Sequence, residues 1–226
     1  MGYLLLEGGA EFGGRMRDPD LKAMELAGGF DAPIRIIPTA AAPDNNHERA
    51  GNNGVRWFQR LGATDVLSLP LVDRTSANDE SIAKALREAK LIYMLGGFTD
   101  YLGEMLKGSL AWRAALEAYA RGAVIAGSSA GAMVMCEFYY DPGRGQMVEG
   151  LNLVPDSLVL PHHNTFGKSW ASRLLEISQV TLIGIDEGTG MLGDGRGTWT
   201  IYGGGEVTLY RNHQVETHSS GSSFSV

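Results

Sequence analysis

The sequence predicts an α/β fold in which a mostly parallel sheet carries helices on both faces. Short runs rich in Ile, Val and Leu recur from Tyr3 to Asp186, and they have the length and composition of buried strands. Amphipathic stretches separate these runs, and such strand–helix alternation is typical of a parallel sheet. The 44% of apolar residues and 20% of charged residues are ordinary for a globular protein.

The individual elements follow from local signals along the chain. The predicted strands end in glycine, proline or polar residues, and they cover Tyr3–Glu7 and residues 34–39, 66–71, 91–97, 123–127, 157–163 and 180–186. The predicted helices begin near Asp or Asn residues of the kind that cap helices, and they cover residues 20–27, 46–61, 78–89, 101–121 with a break near Gly108, and 168–178.

The chain changes character after Glu187. Glycine becomes frequent, and Thr, Tyr, Val and Trp alternate in short segments, which predicts a small antiparallel region at the C-terminal edge of the sheet. The polar tail 218–226 is expected to be frayed. We find no repeat and no linker between domains, so the sequence predicts a single α/β hydrolytic domain over residues 1–226.

Composition and charge exclude several classes of function. The formal net charge of −7 at pH 7 argues against a nucleic-acid partner, because binding phosphates requires a basic surface. Cys136 is the only cysteine, so the chain has no intrachain disulfide and is compatible with a reducing compartment. The N-terminus does not have the pattern of a signal peptide, and no apolar run is long enough for a membrane span. We therefore expect a cytoplasmic protein that does not bind membranes.

The stretch GSSAG carries the strongest chemical signal. It fits the pattern G-x-S-x-G with Gly127, Ser129 and Gly131, between a strand that ends at residue 126 and a helix that starts near Ala130. A sharp strand-to-helix turn strains its central residue and leaves no room for side chains two positions away. Ser129 is thus the predicted nucleophile, and Ser128 is a turn or packing residue. The alternative is a Gly/Ser turn that only caps a helix.

A second glycine pair lies at the end of the preceding strand. Adjacent parallel strands end at the same edge of a sheet, so the turn at Gly96 and Gly97 is expected beside Ser129. The backbone N–H groups of Gly97 and Ala130 would then point at the oxyanion of a tetrahedral intermediate. The alternative is a tight turn that needs glycine only for its dihedral angles.

A serine nucleophile requires a base, and His162 and His163 are the best placed of the five histidines. They follow an apolar strand directly, at the predicted functional edge, whereas His47, His213 and His218 lie elsewhere. The residues themselves do not separate His162 from His163. A metal site is less favoured, because adjacent residues on a strand point to opposite faces and seldom bind one ion.

The base in turn requires an acid that orients it. Asp186 and Glu187 end the next strand, and either is placed to hold the imidazole in one tautomer. Asp141, shortly after the helix that follows Ser129, is a third candidate. The sequence leaves all three open.

Several motifs together resemble the dipeptidase E and cyanophycinase family of serine peptidases. They are GGAE, IPTAAAP, GGFTDYL, GSSAGAM, the histidine after a strand, and GIDEGTG, and they occur in the same order from Gly8 to about Met191. The resemblance implies a three-layer α/β/α sandwich similar to class I glutamine amidotransferases. Those enzymes have cysteine at the position of Ser129, and the serine here favours peptide hydrolysis. Cys136, seven residues further on, is expected to pack as a small apolar residue.

The resemblance also assigns roles to individual residues. It implies Ser129 as nucleophile, His162 as base and Glu187 as acid, whereas the dipeptidase E branch uses an aspartate after the helix, for which Asp141 is the nearest match. No metal and no organic cofactor is implied. The expected partner is a small peptide or isopeptide, and a homodimer stays open.

The substrate implied by the resemblance is an aspartyl peptide rather than cyanophycin. Cyanophycinases have an Asp-Gln-His-Phe run followed by several arginines, but this chain has Leu-Pro-His-His followed by only Lys168 and Arg173. Lys168 and Arg173 are the expected clamp for an aspartyl carboxylate. Two other functions are carried as alternatives: a non-peptidase module of the same fold that binds a small molecule, and an esterase.

Overall fold

The structure, a computed structural model, describes residues 1–194, 197–211 and 214–226, so the candidate histidine His213 lies outside the described residues. The strands of the described part are β1 (Tyr3–Glu7), β2 (Ile34–Ile37), β3 (Val66–Ser68), β4 (Leu91–Met94), β5 (Val124–Ser128), β6 (Phe138–Asp141), β7 (Gln146–Glu149), β8 (Ser157–Leu160), β9 (Thr181–Ile185), β10 (Thr189–Gly193), β11 (Thr198–Gly203), β12 (Glu206–Arg211), β13 (Gln214–Ser219) and β14 (Ser223–Ser225). The α-helices are α1 (Arg17–Ala27), α2 (His47–Arg60), α3 (Glu80–Glu88), α4 (Thr99–Leu106), α5 (Leu110–Ala120), α6 (Ala130–Met135) and α7 (Ala171–Ile177). Short 3-10 turns lie at Gly14–Met16, Thr39–Ala41, Ser76–Asn78 and Gly167–Trp170.

A central eight-stranded sheet organises the molecule, with the strand order β14-β11-β10-β1-β5-β4-β2-β3. The five neighbouring strands β1, β5, β4, β2 and β3 run parallel. On the other side of β1, the strands β10, β11 and β14 follow with antiparallel pairing. The predicted α/β class, with a mostly parallel sheet and an antiparallel C-terminal edge, is confirmed.

Helices cover both faces of this sheet, as predicted. Alternate side chains of β1 point to opposite sides, so Leu4 and Leu6 join one buried core while Leu5 joins the other. Apolar side chains of α3, α4, α5 and α6 fill the first core, and those of α1 and α2 fill the second. The predicted break near Gly108 is also confirmed, because α4 ends at Leu106 and Ser109 caps the start of α5.

Two strands that the sequence places in the central sheet lie elsewhere. β8 and β9 are parallel to each other but belong to a second sheet with the order β13-β12-β9-β8. The antiparallel strand β12 takes the free edge of β9, where Val207 pairs with Ile185. The β6–β7 hairpin, closed by residues 142–145, was also not predicted.

The C-terminal tail is ordered rather than frayed over its last strand. Residues Ser223–Ser225 pair with β11, and the expectation of a frayed 218–226 is wrong there. The reason is Phe224, the only large apolar side chain of the tail, which is buried and stacks on His218 at 4.5 Å between ring centres. In the described part of the chain, no helix has both the length and the apolar character that crossing a membrane would require.

Candidate active site

The turn between β5 and α6 holds Ser129 in a strained conformation. Its φ of 49° and ψ of −111° lie where side chains are rarely found, as the sequence predicted. A Cβ on Gly127 would lie 2.4 Å from the carbonyl carbon of Gly131, and one on Gly131 would lie 2.3 Å from the Met94 carbonyl oxygen. Both positions therefore exclude any larger residue, and the turn can form only with glycine there.

A chain of two hydrogen bonds joins Ser129, His162 and Glu187. Ser129 Oγ is 3.1 Å from His162 Nε2, and His162 Nδ1 is 2.7 Å from Glu187 Oε1. A carboxylate can only accept a hydrogen bond, so His162 Nδ1 carries the proton and donates a hydrogen bond to Glu187. His162 Nε2 is then unprotonated and accepts a hydrogen bond from the Ser129 hydroxyl. This is the tautomer in which the ring can take up the proton of Ser129.

His162 reaches Ser129 from the second sheet through contacts with the segment after β1. The N–H of His162 donates to the Gly8 carbonyl at 2.7 Å, and the ring stacks on Phe166 with 4.9 Å between ring centres. Gly9 lies against the same ring, where a Cβ would come within 2.3 Å of Cε1. The N–H of Glu187 donates to Asn164 Oδ1 at 3.0 Å, which fixes the start of the loop after β9. These contacts, and not a shared sheet edge, bring the ring to the serine.

His163 and Asp186 form a separate pair on the other side of the two strand ends. His163 Nε2 lies 2.8 Å from Tyr210 Oη, and its Nδ1 lies 3.5 Å from Asp186 Oδ1. Desolvation of the buried ring lowers the pKa of His163, although Asp186 acts in the opposite direction. With these partners, His163 and Asp186 do not reach Ser129, so the structure does not bring either of these alternative catalytic residues to the serine.

The third candidate acid and the candidate clamp residues also have other partners. Asp141 accepts the N–H of Gly143 at 2.8 Å and pairs with Arg144 at 3.4 Å, so it closes the β6–β7 hairpin. Arg173 donates to the Gly145 carbonyl at 2.9 Å. Lys168 lines a cavity of about 560 Å³ next to His163 rather than Ser129. The hydrogen bonds and ion pairs of the described residues connect none of the three to Ser129 or His162.

The glycine turn after β4 lies beside the serine, as predicted. β4 pairs with β5, and a Cβ atom added to Gly96 would lie 3.2 Å from Ser129 Cβ. Gly97 has φ +138°, and its Cβ position is 2.3 Å from the Ala40 carbonyl oxygen, so this turn requires glycine. Ala130 is the first residue of α6, so its backbone N–H has no acceptor within the helix. The role of Gly97 and Ala130 as oxyanion donors stays a prediction.

Glu11 is a site residue that the sequence reasoning did not assign. Its Oε1 accepts the Gly96 N–H at 3.3 Å, and its Oε2 accepts the Ser128 hydroxyl at 3.1 Å. It faces a cavity of about 570 Å³ that Gly97, Asp44 and Arg49 also line. The available signal was the acidic residue of GGAE, a polar side chain in the loop after β1 at the functional edge. Among the described residues, we find no group of three or more His, Cys, Asp or Glu side chains arranged to hold a metal ion.

Comparison with known proteins finds similar chains among peptidases and cyanophycinases. A sequence model of peptidase family S51 matches residues 4–200. A cyanophycinase from Synechococcus elongatus is 29% identical over 225 residues, covering 92% of this chain and 67% of that protein. A cyanophycinase from Geminocystis herdmanii is 29% identical over 233 residues, covering 93% of this chain and 83% of that protein. The crystal structure of a peptidase from an acI-B1 actinobacterium superimposes with a TM-score of 0.89 and 28% identity, covering 100% of this chain and 97% of that one.

Proposed function

Because the chain belongs to peptidase family S51 and is therefore a serine-type peptidase, we propose that it hydrolyses short peptides with Ser129, His162 and Glu187. In this proposal Ser129 is the nucleophile, His162 the general base and Glu187 the acid that orients the ring. The observation that carries the proposal is the pair of contacts at 3.1 Å and 2.7 Å that joins the three side chains. A module that only binds a ligand has no need for this contact between serine and histidine.

The reaction proceeds through an acyl-enzyme. Ser129 Oγ attacks the amide carbonyl carbon while its proton moves to His162 Nε2, and Glu187 stabilises the resulting imidazolium. The N–H groups of Gly97 and Ala130 hold the oxyanion, a contribution of roughly 2.7–4 kcal/mol for each donor. The imidazolium then protonates the leaving amine as the C–N bond breaks. A water molecule, deprotonated by His162, attacks the ester and releases the acid and free Ser129.

The cavity beside Ser129 supports a substrate that carries both signs of charge. A Cβ atom added to Gly96 would lie 2.9 Å from Glu11 Oε1 and 3.2 Å from Ser129 Cβ. Glu11 Oε1 and Ser129 Cβ are therefore about 6 Å apart at most. At that distance the Glu11 carboxylate can accept the α-ammonium group of a residue whose carbonyl Ser129 attacks. Arg49 lines the same cavity and uses Nε to bind Asn46 Oδ1 at 2.8 Å. Its terminal NH₂ groups are suited to an aspartyl carboxylate, and they replace Lys168 and Arg173 as our proposed clamp.

A panel of dipeptides tests both parts of the proposal. The wild type should release the N-terminal residue from aspartyl dipeptides faster than from matched asparaginyl dipeptides, and S129A should release nothing. R49Q should lose the preference for aspartyl over asparaginyl peptides, and the control variants K168Q and R173Q should keep it. Turnover by S129A would refute the nucleophile, and an unchanged preference in R49Q would refute the clamp.

Three further properties are proposals of the same kind. The proposed reaction uses only side chains and water, so we expect the rate of peptide hydrolysis to be unchanged by EDTA. A cytoplasmic location is supported by the use of a single cysteine, buried and unpaired, in the described structure. A homodimer stays an expectation that sedimentation velocity can decide.

A further inference from the structure

Two carboxyl groups are completely buried beneath the Ser129 turn. Glu7 ends β1 and Asp20 lies in the first turns of α1, and each is 0% exposed. The carbonyl oxygen of Glu7 accepts the N–H of Ser129 at 3.0 Å, and Glu7 is the register partner of Ser128. Glu7 is thus directly connected to the backbone that carries the proposed nucleophile.

One oxygen of each carboxyl group has a donor from another element. The Tyr93 hydroxyl, on β4, donates to Glu7 Oε2. The indole N–H of Trp57, on α2, donates to Asp20 Oδ2 at 2.7 Å. Glu7 of β1 is therefore connected to β4, and Asp20 of α1 is connected to α2.

The other two oxygens, Glu7 Oε1 and Asp20 Oδ1, are buried and have no donor among the described residues. The two side chains come together where α1 packs on β1: a Cβ atom added to Gly190 would lie 2.9 Å from Pro19 Cβ and 3.5 Å from Glu7 Cγ, and each carboxyl group acts on the pKa of the other. Two ionised carboxylates in this position would repel, and each would leave a buried lone pair without a partner. A single proton between the two oxygens removes both costs, because a protonated Glu7 Oε1 donates to Asp20 Oδ1.

The electrostatic surroundings favour the same arrangement. Burial, followed by the charge of Asp20, raises the pKa of Glu7 well above its ordinary value, and burial also raises the pKa of Asp20. The titratable groups that act on the pair are Tyr93 and the carboxylate of Glu11, which adds negative charge, and Trp57 is a neutral donor.

We propose that Glu7 is a neutral positioning residue, which shares one proton with Asp20 and thereby holds the backbone that accepts the N–H of Ser129. That Ser129 is a nucleophile rests on the proposed function, but the proton shared by Glu7 and Asp20 does not. The folded pair keeps a proton that the unfolded chain releases at a lower pH. The free energy of unfolding should therefore decrease as the pH rises above the ordinary range of carboxyl groups, until the folded pair also releases its proton.

The test uses the isosteric variant E7Q. Its amide N–H donates to Asp20 and its amide oxygen accepts from Tyr93, so it imitates the protonated acid at every pH. We expect E7Q to retain the reaction of Ser129 with a fluorophosphonate that E7A loses. We also expect the thermal unfolding midpoint of E7Q to lose the wild-type decrease with rising pH. E25Q, which changes an exposed carboxylate on the same helix as Asp20, should keep the wild-type pH dependence.

Infrared spectroscopy gives a readout that is independent of catalysis. The carbonyl stretch of a buried protonated carboxyl group should be present in the wild type and in S129A, and absent in E7Q. The proposal is overturned if this band survives in E7Q or is missing from the wild type. It is also overturned if the stability of E7Q decreases with rising pH as that of the wild type does, or if E7Q is as unreactive as E7A. A wild-type band together with inert Ser129 would instead refute the proposed function alone.

Discussion

Replacing Gly9 with alanine is expected to displace the His162 ring without removing any catalytic group. The new Cβ would lie 2.3 Å from Cε1, 2.7 Å from Nδ1 and 2.8 Å from Nε2 of that ring. Carbon atoms pack at about 3.5–4.0 Å, so the ring must move by roughly 1 Å or more. The contact between Ser129 Oγ and His162 Nε2, now 3.1 Å, would then approach the limit of a hydrogen bond or exceed it. A displacement of about 1 Å at a catalytic group can reduce the rate about 10²-fold.

The assay is the rate at which a fluorophosphonate modifies Ser129, because this reaction requires the activated hydroxyl but no knowledge of the substrate. Gly9 has φ +112°, so alanine should also cost about 1–3 kcal/mol of stability. Thermal unfolding must therefore show that G9A is folded at the assay temperature. The matched control is G14A in the same loop, where a Cβ would have no neighbour within 4 Å and the rate should not change.

Two results would refute this reasoning. A folded G9A that reacts at the wild-type rate would mean that the observed position of the ring is not needed for the reactivity of Ser129. An equal loss in G14A would mean that the effect comes from the loop in general and not from contact with His162.

The remaining predictions separate the other candidates. E187Q should lower the phosphonylation rate roughly 10²- to 10⁴-fold, because an amide can donate to Nδ1 and favour the wrong tautomer of His162. D141N should leave the rate unchanged. A loss of rate in D141N and none in E187Q would mean that Asp141, and not Glu187, orients His162. H163Q should lower the thermal unfolding midpoint by breaking buried contacts but should leave the rate of the folded protein unchanged, so a large loss of rate with normal stability would contradict our choice of base. Burial raises the pKa of the Cys136 thiol to about 12, so iodoacetamide should modify it only after unfolding, and labelling of the native protein would contradict the buried position.

Sequence patterns were sufficient for the parallel part of the fold but not for the second sheet. β8 and β9 have the same short, mostly apolar pattern as β1 or β4, because all of them are buried on both faces. Hydrophobicity reports burial and not the identity of the neighbouring strand, so it does not show that β9 pairs with β12. The last strand was missed because it has only one apolar residue, Phe224, which is buried while its serine neighbours are exposed.

The local part of the site could be predicted, and the long-range part could not. Ser129 and its glycines form one continuous turn, so their spacing alone describes the geometry. Choosing between His162 and His163 depends on the contact of His162 with Gly8, more than 150 positions away, which no local pattern contains.

The buried carboxyl pair was missed for a related reason. Asp20 stands at the start of the predicted helix 20–27, where an aspartate is expected to cap the helix. The helix in fact begins at Arg17, and Asp20 lies inside it, turned toward the core and bound to Trp57. The sequence contains no sign of this burial, because no local pattern shows that Asp20 turns toward Glu7 at the end of the preceding strand.

The most direct test of the central claim is to map the residue that a fluorophosphonate modifies, by mass spectrometry of the digested protein. We predict a single adduct on Ser129, absent from S129A and formed much more slowly in H162Q. An adduct on Ser128 or on any other residue, or a rate on Ser129 that does not depend on His162, would contradict the account.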